Sequence, residues 1–313
     1  MEGGSEANWM AIAGLALARR HQGDHLVTQR SEHPAVLESC RALSQMFGLS
    51  VTVLDVDATG MVDPADLESA VAPRTVLVSI MHANNETGTV QPVRELAAIA
   101  RRRGVAFHTD AAQTVGKVPV AVGDLDVDAM TIVGHKIYGP KGIGALYLRS
   151  GVEVEPISFG GGQERGLRAG TENVAHIVGL GRACSLVGAA HVTDSNRLGS
   201  LRDLLHQRLR DLLGDRLRLN GHPTERLPNT LNVSIDGVDS NLLLDCTPEI
   251  AASTGSACHS GGREPSSVLL AMGQDPDRAR SALRLSVGRW STEQEVCLAA
   301  DAIARSVTEL RRR

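Results

Sequence analysis

The stretch TVLVSIMHANNETGTVQPVRELAAIARRRGVAFHTD, residues 75–110, decides the fold class. It opens with the apolar run TVLVSIM (75–81), continues with the amphipathic pattern VRELAAIARRRG (93–104) and closes with VAFHTD (105–110). The two apolar runs predict buried strands, and the pattern between them predicts a helix that ends at Gly104. A strand, a helix and a second strand in this order are typical of a βαβ unit in a parallel sheet.

The same alternation extends to both sides of this stretch. Further strands are predicted at 25–29, 50–56, 129–134 and 143–149, and further helices at 35–48 and 63–71. Ahead of them, the turn GGSEAN (3–8) leads into a helical pattern. We therefore expect an α/β fold whose large domain is built on a mostly parallel sheet.

The second half of the chain has a different pattern. Two long helical stretches, 174–190 and 194–213, precede shorter apolar runs and a terminal helix. This pattern predicts a smaller α+β domain at the C-terminus. We divide the chain into a large domain, residues 1–190, and a C-terminal domain, residues 191–313, which carries the glycine-rich segment around Cys258.

Length, charge and cysteine usage exclude several classes of protein. The 313 residues carry a net charge of −4, which does not indicate a nucleic-acid surface. No apolar run approaches the roughly 20 residues that span a bilayer, and no secretory signal is visible. The five cysteines are widely spaced, which favours a reducing compartment and gives no metal-ligand spacing. We expect a cytoplasmic protein that binds neither nucleic acid, membrane nor metal.

Polar residues follow the predicted strands, where ligands collect in parallel sheets. Asp110 either caps a short helix or pairs with a buried protonated ring nitrogen. Asn84 and Asn85 either form an Asx turn or bind a ring substituent or a carboxylate. His33 either caps a helix or stacks on a flat cofactor. Lys136, among glycines, is either a solvated charge or a lysine that forms a Schiff base.

The turn GGSEAN adds a possible anion site to this set. Its backbone N–H groups and the Ser5 hydroxyl suit a phosphate, although many ordinary helices begin in the same way. Taken together, a phosphate-type turn, two asparagines, an aspartate, a histidine and a histidine–lysine pair suit one aromatic, phosphorylated aldehyde. That cofactor is pyridoxal 5'-phosphate.

Eight motifs, in a fixed order, carry a resemblance to a known family. They are SEHPAVLESC, SIMHANNETGTVQPV, HTDAAQTVGK, GHKIYGPKGIGALYLR, GGGQERGLRAGTENV, LPNTLNVS, STGSACHSG and LRLSVGRWSTEQEV. They resemble the cysteine desulfurase and selenocysteine lyase family, class V aminotransferase-like enzymes of fold type I. The resemblance implies a pyridoxal-phosphate-dependent transferase fold with a small C-terminal domain, assembled as a homodimer.

The resemblance implies roles around the cofactor ring for four residues. Lys136 matches the Schiff-base lysine, and Asp110 matches the carboxylate that keeps the pyridine nitrogen protonated. His33 matches the histidine that stacks on the ring and takes part in catalysis. Gln113 matches the residue that bonds the ring hydroxyl.

Further positions match the phosphate and substrate groups of the family. Gly4, Ser5 and His135 match phosphate ligands, and Thr171 matches the threonine that reaches the phosphate of the partner subunit. The remaining matches concern the substrate: Asn85, at the cofactor, and Arg284 match the groups that hold its carboxylate, and Cys258 matches the nucleophile.

The resemblance implies that L-cysteine or L-selenocysteine gives its sulfur or selenium to Cys258. Alanine leaves, and the resulting persulfide or selenosulfide passes to an acceptor, which suits a thiol on a mobile loop. The other four cysteines are expected to be buried small hydrophobes. The family normally begins with several dozen more residues. This leaves open a shortened non-catalytic isoform or fragment that binds partners. A separate alternative, against which the loop cysteine argues, is another class V enzyme such as an aminotransferase.

Overall fold

The computed structural model describes residues 1–254 and 264–312, without the side chains of residues 190–192. The strands are β1 His25–Gln29, β2 Ser50–Leu54, β3 Thr75–Ser79, β4 Ala106–Asp110, β5 Ala129–Val133, β6 Gly144–Leu148, β7 Leu217–Asn220, β8 Thr230–Ile235 and β9 Ala282–Ser286. The helices are α1 Gly4–Ala18, α2 Pro34–Phe47, α3 Pro64–Ala70, α4 Val93–Arg102, α5 Val122–Leu125, α6 Val174–Leu213, α7 Ser240–Asp245, α8 Ser267–Ala271, α9 Pro276–Arg280 and α10 Glu293–Leu310.

Backbone packing divides the chain into two compact units. The first unit comprises residues 1–55, 62–84 and 91–191, and the second comprises residues 56–61, 85–90 and 192–313. The second unit therefore takes two short segments from the first half of the sequence.

A six-stranded sheet forms the centre of the first unit, in the order β2-β1-β3-β4-β5-β6. The strands from β2 to β5 pair in parallel, and β6 pairs antiparallel with β5. Strands β1, β3 and β4 are buried at every residue, as expected for a parallel sheet with both faces covered. The predicted α/β fold class is confirmed, and each of these six strands lies within its predicted range.

Helix α1 covers one part of this sheet and is almost entirely apolar. Residues Met10–Ala16 are all buried, so the helix has no solvated face over that stretch. Its Ile12 and Leu15 belong to one core cluster with Leu26 of β1 and Leu77 of β3. This packing fixes the N-terminus of α1 close to the ends of the strands.

The sheet order reverses beside β1, because the chain passes from β1 to β2 on one side and then to β3 on the other. The loops that follow β1 and β3 consequently separate at this point, and such switch points form ligand crevices. Here the loops are joined by side chains. The Asn84 amide donates to the Ser31 carbonyl at 2.9 Å, and the Met81 N–H donates to the Glu32 carboxyl.

The second unit is built on the antiparallel sheet β7-β8-β9. Leu209 of α6, Val233 of β8, Leu283 of β9 and Ile303 of α10 form its core with their neighbours. Helix α10 begins with a capping box between Thr292 and Glu295, which satisfies backbone N–H groups at its first turn.

The prediction of two helices in the region 174–213 is wrong, because α6 is one helix of 40 residues. The sequence HVTDS (191–195) contains poor helix formers but neither glycine nor proline. Each half of α6 is held by its own packing. Ala183 and Val187 join a cluster with Ile137, whereas Leu209 joins the core of the second unit. Tertiary packing therefore overrides local propensity here.

The cysteines other than Cys258 differ in exposure. Cys40 is buried, Cys246 and Cys297 are half-buried, and Cys184 is exposed on α6. The expectation of burial is therefore wrong for Cys184, whose helix face is open. Among the described residues, no helix combines the length and apolarity that crossing a membrane requires.

Candidate active site

The carboxyl ends of the parallel strands bring the predicted polar residues to one edge of the first unit. His33 follows β1, Asp110 ends β4, and Lys136 follows β5. Strands β1, β3, β4 and β5 are parallel neighbours, so these residues share the same sheet edge. The positive charge of Lys136 is felt by both His33 and Asp110, in keeping with this placement.

Asp110 is the buried carboxyl of this edge, with 7% of its surface exposed. Its Oδ2 accepts from the Asn8 amide of α1 at 2.6 Å, and its Oδ1 accepts from the Ala112 N–H at 2.9 Å. Burial raises the pKa of Asp110, while these two hydrogen bonds and the charges of His33 and Lys136 act in the opposite direction. The carboxyl is thus desolvated and flanked by donors, which suits a buried cationic partner.

His33 is the N-cap residue of α2, so the predicted capping role is confirmed. Its Nδ1 accepts from the Ala35 N–H at 3.1 Å. Burial lowers the pKa of His33; the charge of Asp110 acts to raise it, and the charge of Lys136 acts to lower it further. A neutral ring whose Nδ1 is an acceptor carries its proton on Nε2. The cap uses only the Nδ1 atom of the ring. It holds the ring in one orientation beside the sheet edge and is compatible with stacking of the ring on a flat ligand.

Lys136 and His135 lie in a single 3₁₀ turn, Gly134–Ile137, directly after β5. The turn folds back so closely that a Cβ on Gly134 would lie 2.7 Å from Ile143 Cγ2 and 3.0 Å from the Ile143 carbonyl oxygen. Only glycine permits this approach, which fixes the turn that carries both side chains. His135 is largely exposed; limited desolvation, and then the charges of Lys136 and Lys141, lower its pKa.

The N-terminus of α1 approaches the end of β5. A Cβ on Gly4 would lie 2.8 Å from Val133 Cγ2, so the glycine allows close contact. No side chain caps this helix at Gly3, and Ser5 is exposed in the first turn. The first N–H groups of the helix, the Ser5 hydroxyl and the positive end of the helix dipole are together suited to an anion.

The loop that carries Thr171 is tied to the same helix. Arg168 donates from Nε to Glu6 Oε1 at 2.8 Å, and its Nη2 lies 3.5 Å from Glu2 Oε1. Arg168 and Glu6 have 19% and 28% of their side chains exposed, whereas Glu2 has 82% exposed, so only the Arg168–Glu6 contact is partly shielded from solvent. Thr171 itself is exposed.

Two predicted substrate residues, Asn85 and Arg284, lie in the second unit. The Arg284 guanidinium donates from Nη1 to the Asn85 carbonyl oxygen at 3.0 Å. The backbone of Arg284 on β9 also exchanges two hydrogen bonds with Ser253, at 2.7 and 3.2 Å. Cys258, the predicted nucleophile, lies outside the described residues.

Sequence reasoning missed two polar residues at the first-unit site. Asn8 binds Asp110, although its place in the sequence indicates only the start of a helix. Lys117 donates to the side-chain and backbone oxygens of Gln113, at 3.2 and 2.9 Å. The signal for Lys117 was its place four residues after Gln113, a spacing that puts two side chains on one face of a helical turn.

Comparisons with known proteins show similarity in sequence and in fold. The family described as Aminotransferase class-V matches residues 1–298. The chain is 46% identical to Cysteine desulfurase IscS of Methanosarcina thermophila over 99% of its own length and 76% of that protein's. A solved structure titled NifS-like protein is 35% identical, with a TM-score of 0.90 over 98% of this chain and 81% of that one. A second, titled SspA in complex with cysteine, is 36% identical, with a TM-score of 0.77 over 93% and 81%.

Proposed function

The chain belongs to the aminotransferase class-V family, and on this premise we propose that it is a cysteine desulfurase that uses pyridoxal 5'-phosphate. It removes sulfur from L-cysteine and releases L-alanine. The observation that carries the proposal is the buried Asp110 carboxyl, held by Asn8 at the sheet edge that also carries His33 and Lys136. The relatives are named cysteine desulfurases, which favours cysteine over selenocysteine as the substrate.

The residues of the first unit fit the proposed cofactor. A desolvated carboxyl such as Asp110 is stabilised in its charged form by a cationic ring nitrogen. The Asn8 Oδ1 atom is buried and has no hydrogen-bond partner among the described residues, so the polar pocket around Asp110 can accept a further donor. The open N-terminus of α1 fits a phosphate group. A carboxyl, an anion site and a lysine therefore lie in one unit.

When bound, pyridoxal phosphate supplies an electron sink next to the substrate Cα. We assign Lys136 to hold the cofactor and then to move the proton at the substrate Cα. Asp110 keeps the ring nitrogen protonated, and His33 packs its neutral ring against the cofactor face. Gln113 donates to the ring hydroxyl.

The proposed phosphate ligands come from two turns of the first unit. Gly4 and Ser5 at the start of α1 offer a backbone N–H and a hydroxyl, and His135 offers a ring N–H from the turn after β5. Thr171 is assigned to the phosphate of a second copy of the chain, which its exposed position on the loop supports.

The substrate residues belong to the second unit. Arg284 and Asn85 are assigned to the substrate carboxylate, which pairs well with a guanidinium. The Cys258 thiolate attacks the substrate sulfur. The bond from that sulfur to Cβ breaks, a sulfur–sulfur bond forms on Cys258, and the electron pair left on Cβ is protonated. Alanine leaves, and an acceptor takes the sulfur from Cys258.

We propose that the enzyme is a homodimer. Several apolar side chains of the first unit are exposed, among them Phe159 at 84%, Val174 at 66%, Ile177 at 42% and Val178 at 66%. The last three share one face of α6, because they are three and four residues apart. A second copy would cover this face next to Thr171.

We also propose that the enzyme works in the cytoplasm and that an acceptor protein takes the sulfur. Its two domains are residues 1–190 and residues 191–313, and segments 56–61 and 85–90 are added to the second domain.

The attachment of the cofactor to one lysine tests the assignment. The sequence has three lysines, Lys117, Lys136 and Lys141, so attachment to each lysine can be followed separately. We would load the protein with pyridoxal phosphate, record the visible absorption, reduce with borohydride and map the modified peptide by mass spectrometry. The modification is expected on Lys136, and Lys136→Ala is expected to abolish the visible band.

Lys141→Ala is the matched control, because Lys141 lies five residues away and is exposed. That variant is expected to keep the band and the release of alanine from cysteine. Modification of Lys117 or Lys141 in the parent protein would contradict the assignment of Lys136. A parent protein without any visible band would contradict the proposed function as a whole.

A further inference from the structure

Lys117 lies next to the proposed cofactor residues but has no assigned role. It follows Gln113 by four residues, in the turn after β4, and its Nζ donates to both oxygens of that residue. The turn is held by its own hydrogen bonds. The Thr114 N–H donates to the Ala111 carbonyl at 3.1 Å, and the Lys117 N–H donates to the Thr114 carbonyl at 2.9 Å. Thr114 is fully buried, so its packing holds the turn in place.

The contact of Lys117 with Gln113 selects one of the two orientations of the Gln113 amide. An amide group has an acceptor oxygen at one end and a donor nitrogen at the other, and an ammonium can only donate. Because the ammonium bonds Oε1, the Nε2 end becomes the end that Gln113 offers to a ligand. A ring oxygen that carries negative charge requires a donor at this position.

The surroundings of Lys117 affect how much of it carries the ammonium charge. Burial, and then the positive charge of Lys136, lower the pKa of Lys117 to about 8. Lys136, in the turn after β5, is therefore close enough for its charge to affect Lys117. At neutral pH the ammonium form still predominates, so the donor that holds the amide is present.

We propose that Lys117 is a positioning residue that locks the Gln113 amide with its Nε2 toward the cofactor ring oxygen. The inference rests on the proposed function, because the ring oxygen belongs to pyridoxal phosphate. Without Lys117, the amide can rotate and present an oxygen to an oxygen. In part of the molecules the ring oxygen would then lose its hydrogen-bond donor, and this oxygen would hold a proton more tightly.

A double-mutant cycle on the loaded protein separates this role from a direct charge effect. The measurement is the pH at which the visible absorption band of the Lys136-attached cofactor titrates. Lys117→Met is expected to raise this pH by about one unit, the size of a lost hydrogen bond to a charged group. In a Gln113→Ala background the same substitution is expected to shift it by less than about one third as much.

Lys117→Arg and Lys141→Met serve as companion variants. Lys117→Arg keeps a donor that cannot deprotonate at neutral pH, and it is expected to restore most of the original titration. Lys141→Met removes an exposed charge of the same sign and is expected to leave the titration in place. Far-ultraviolet circular dichroism of each variant establishes that the fold is retained. If Lys117→Met does not fold, the comparison of Lys117→Arg with Lys117→Gln carries the same test.

The outcomes distinguish the inference from the proposed function. A titration that Lys117→Met leaves unchanged, or shifts equally in both Gln113 backgrounds, overturns the positioning role. A parent protein without a Lys136-dependent band overturns the proposed function, and this inference with it. A shift that depends on Gln113 and is reversed by arginine supports both.

Discussion

The two compact units hold their candidate residues by different means. In the first unit, side chains bind one another, as Asn8 binds the buried Asp110 and Lys117 binds the half-buried Gln113. In the second unit, the Arg284 side chain is held by a backbone carbonyl, and its backbone is paired with Ser253. The first arrangement controls the charge and donor direction of each group, whereas the second controls position. This difference matches a division of work between cofactor chemistry and substrate capture.

The largest effect is expected from removing the Cys258 thiol, which should stop the reaction without affecting the cofactor residues of the first unit. Cys258→Ala is expected to lower alanine formation by about 10³-fold or more, because the atom that accepts sulfur is missing. The visible band of the loaded protein should stay, since its residues belong to the first unit. Steady-state assays of alanine and absorption spectra on the same sample check both statements.

Cys184→Ala provides the control for that variant, because Cys184 is also a thiol and is exposed. It is expected to keep the parent rate. Full alanine formation by the Cys258→Ala protein would remove Cys258 from the mechanism and break the proposed division of work.

A smaller effect is expected from the substrate side. Arg284→Gln should raise the KM for L-cysteine roughly 10- to 100-fold, the value of one hydrogen bond to a charged group. The band of the loaded protein should not move. Arg280→Gln is the matched control, because Arg280 is an exposed arginine of the same unit whose partner is Asp277. An unchanged KM in Arg284→Gln would show that the carboxylate is bound elsewhere.

The smallest expected effect concerns the stability of the protein without cofactor. Burial raises the pKa of Asp110 above its ordinary value of 3.8, so the folded state disfavours its charged form. As pH rises above that value, the unfolded chain releases this proton first, and the folding free energy becomes less favourable. Asp110→Asn cannot ionise. Its melting temperature without cofactor is therefore expected to exceed that of the parent at pH 7, with the difference vanishing below pH 3.

Thermal melts followed by circular dichroism between pH 3 and 8 measure this difference. Asp124→Asn changes an exposed carboxyl of the same unit and is expected to show no such pH dependence. A cofactor-free Asp110→Asn protein that melts below the parent at neutral pH would show that the hydrogen bonds to Asp110 outweigh its burial.

The sheet of the first unit was predictable because its strands are short, apolar and separated by clear helix signals. The positions of His33, Asp110 and Lys136 at strand ends followed from the same patterns. The partners of these residues did not follow. The contact of Asn8 with Asp110 spans 102 residues, and no local pattern encodes such a distance. Likewise, the continuity of α6 depends on packing at both of its ends rather than on the residues between them.

Segments 56–61 and 85–90 belong to the second unit, and this limits where the coding sequence can be divided or recombined. The chain crosses between the two units five times, so no single break separates them. A fragment that starts at residue 192 would lack the Asn85 carbonyl that holds Arg284 and the Glu86 carboxyl that accepts from Ser266. Recombination between relatives at the 191/192 boundary would consequently mix parts of one unit from two parents. Crossovers that preserve function should therefore carry both short segments together with the C-terminal third of the sequence.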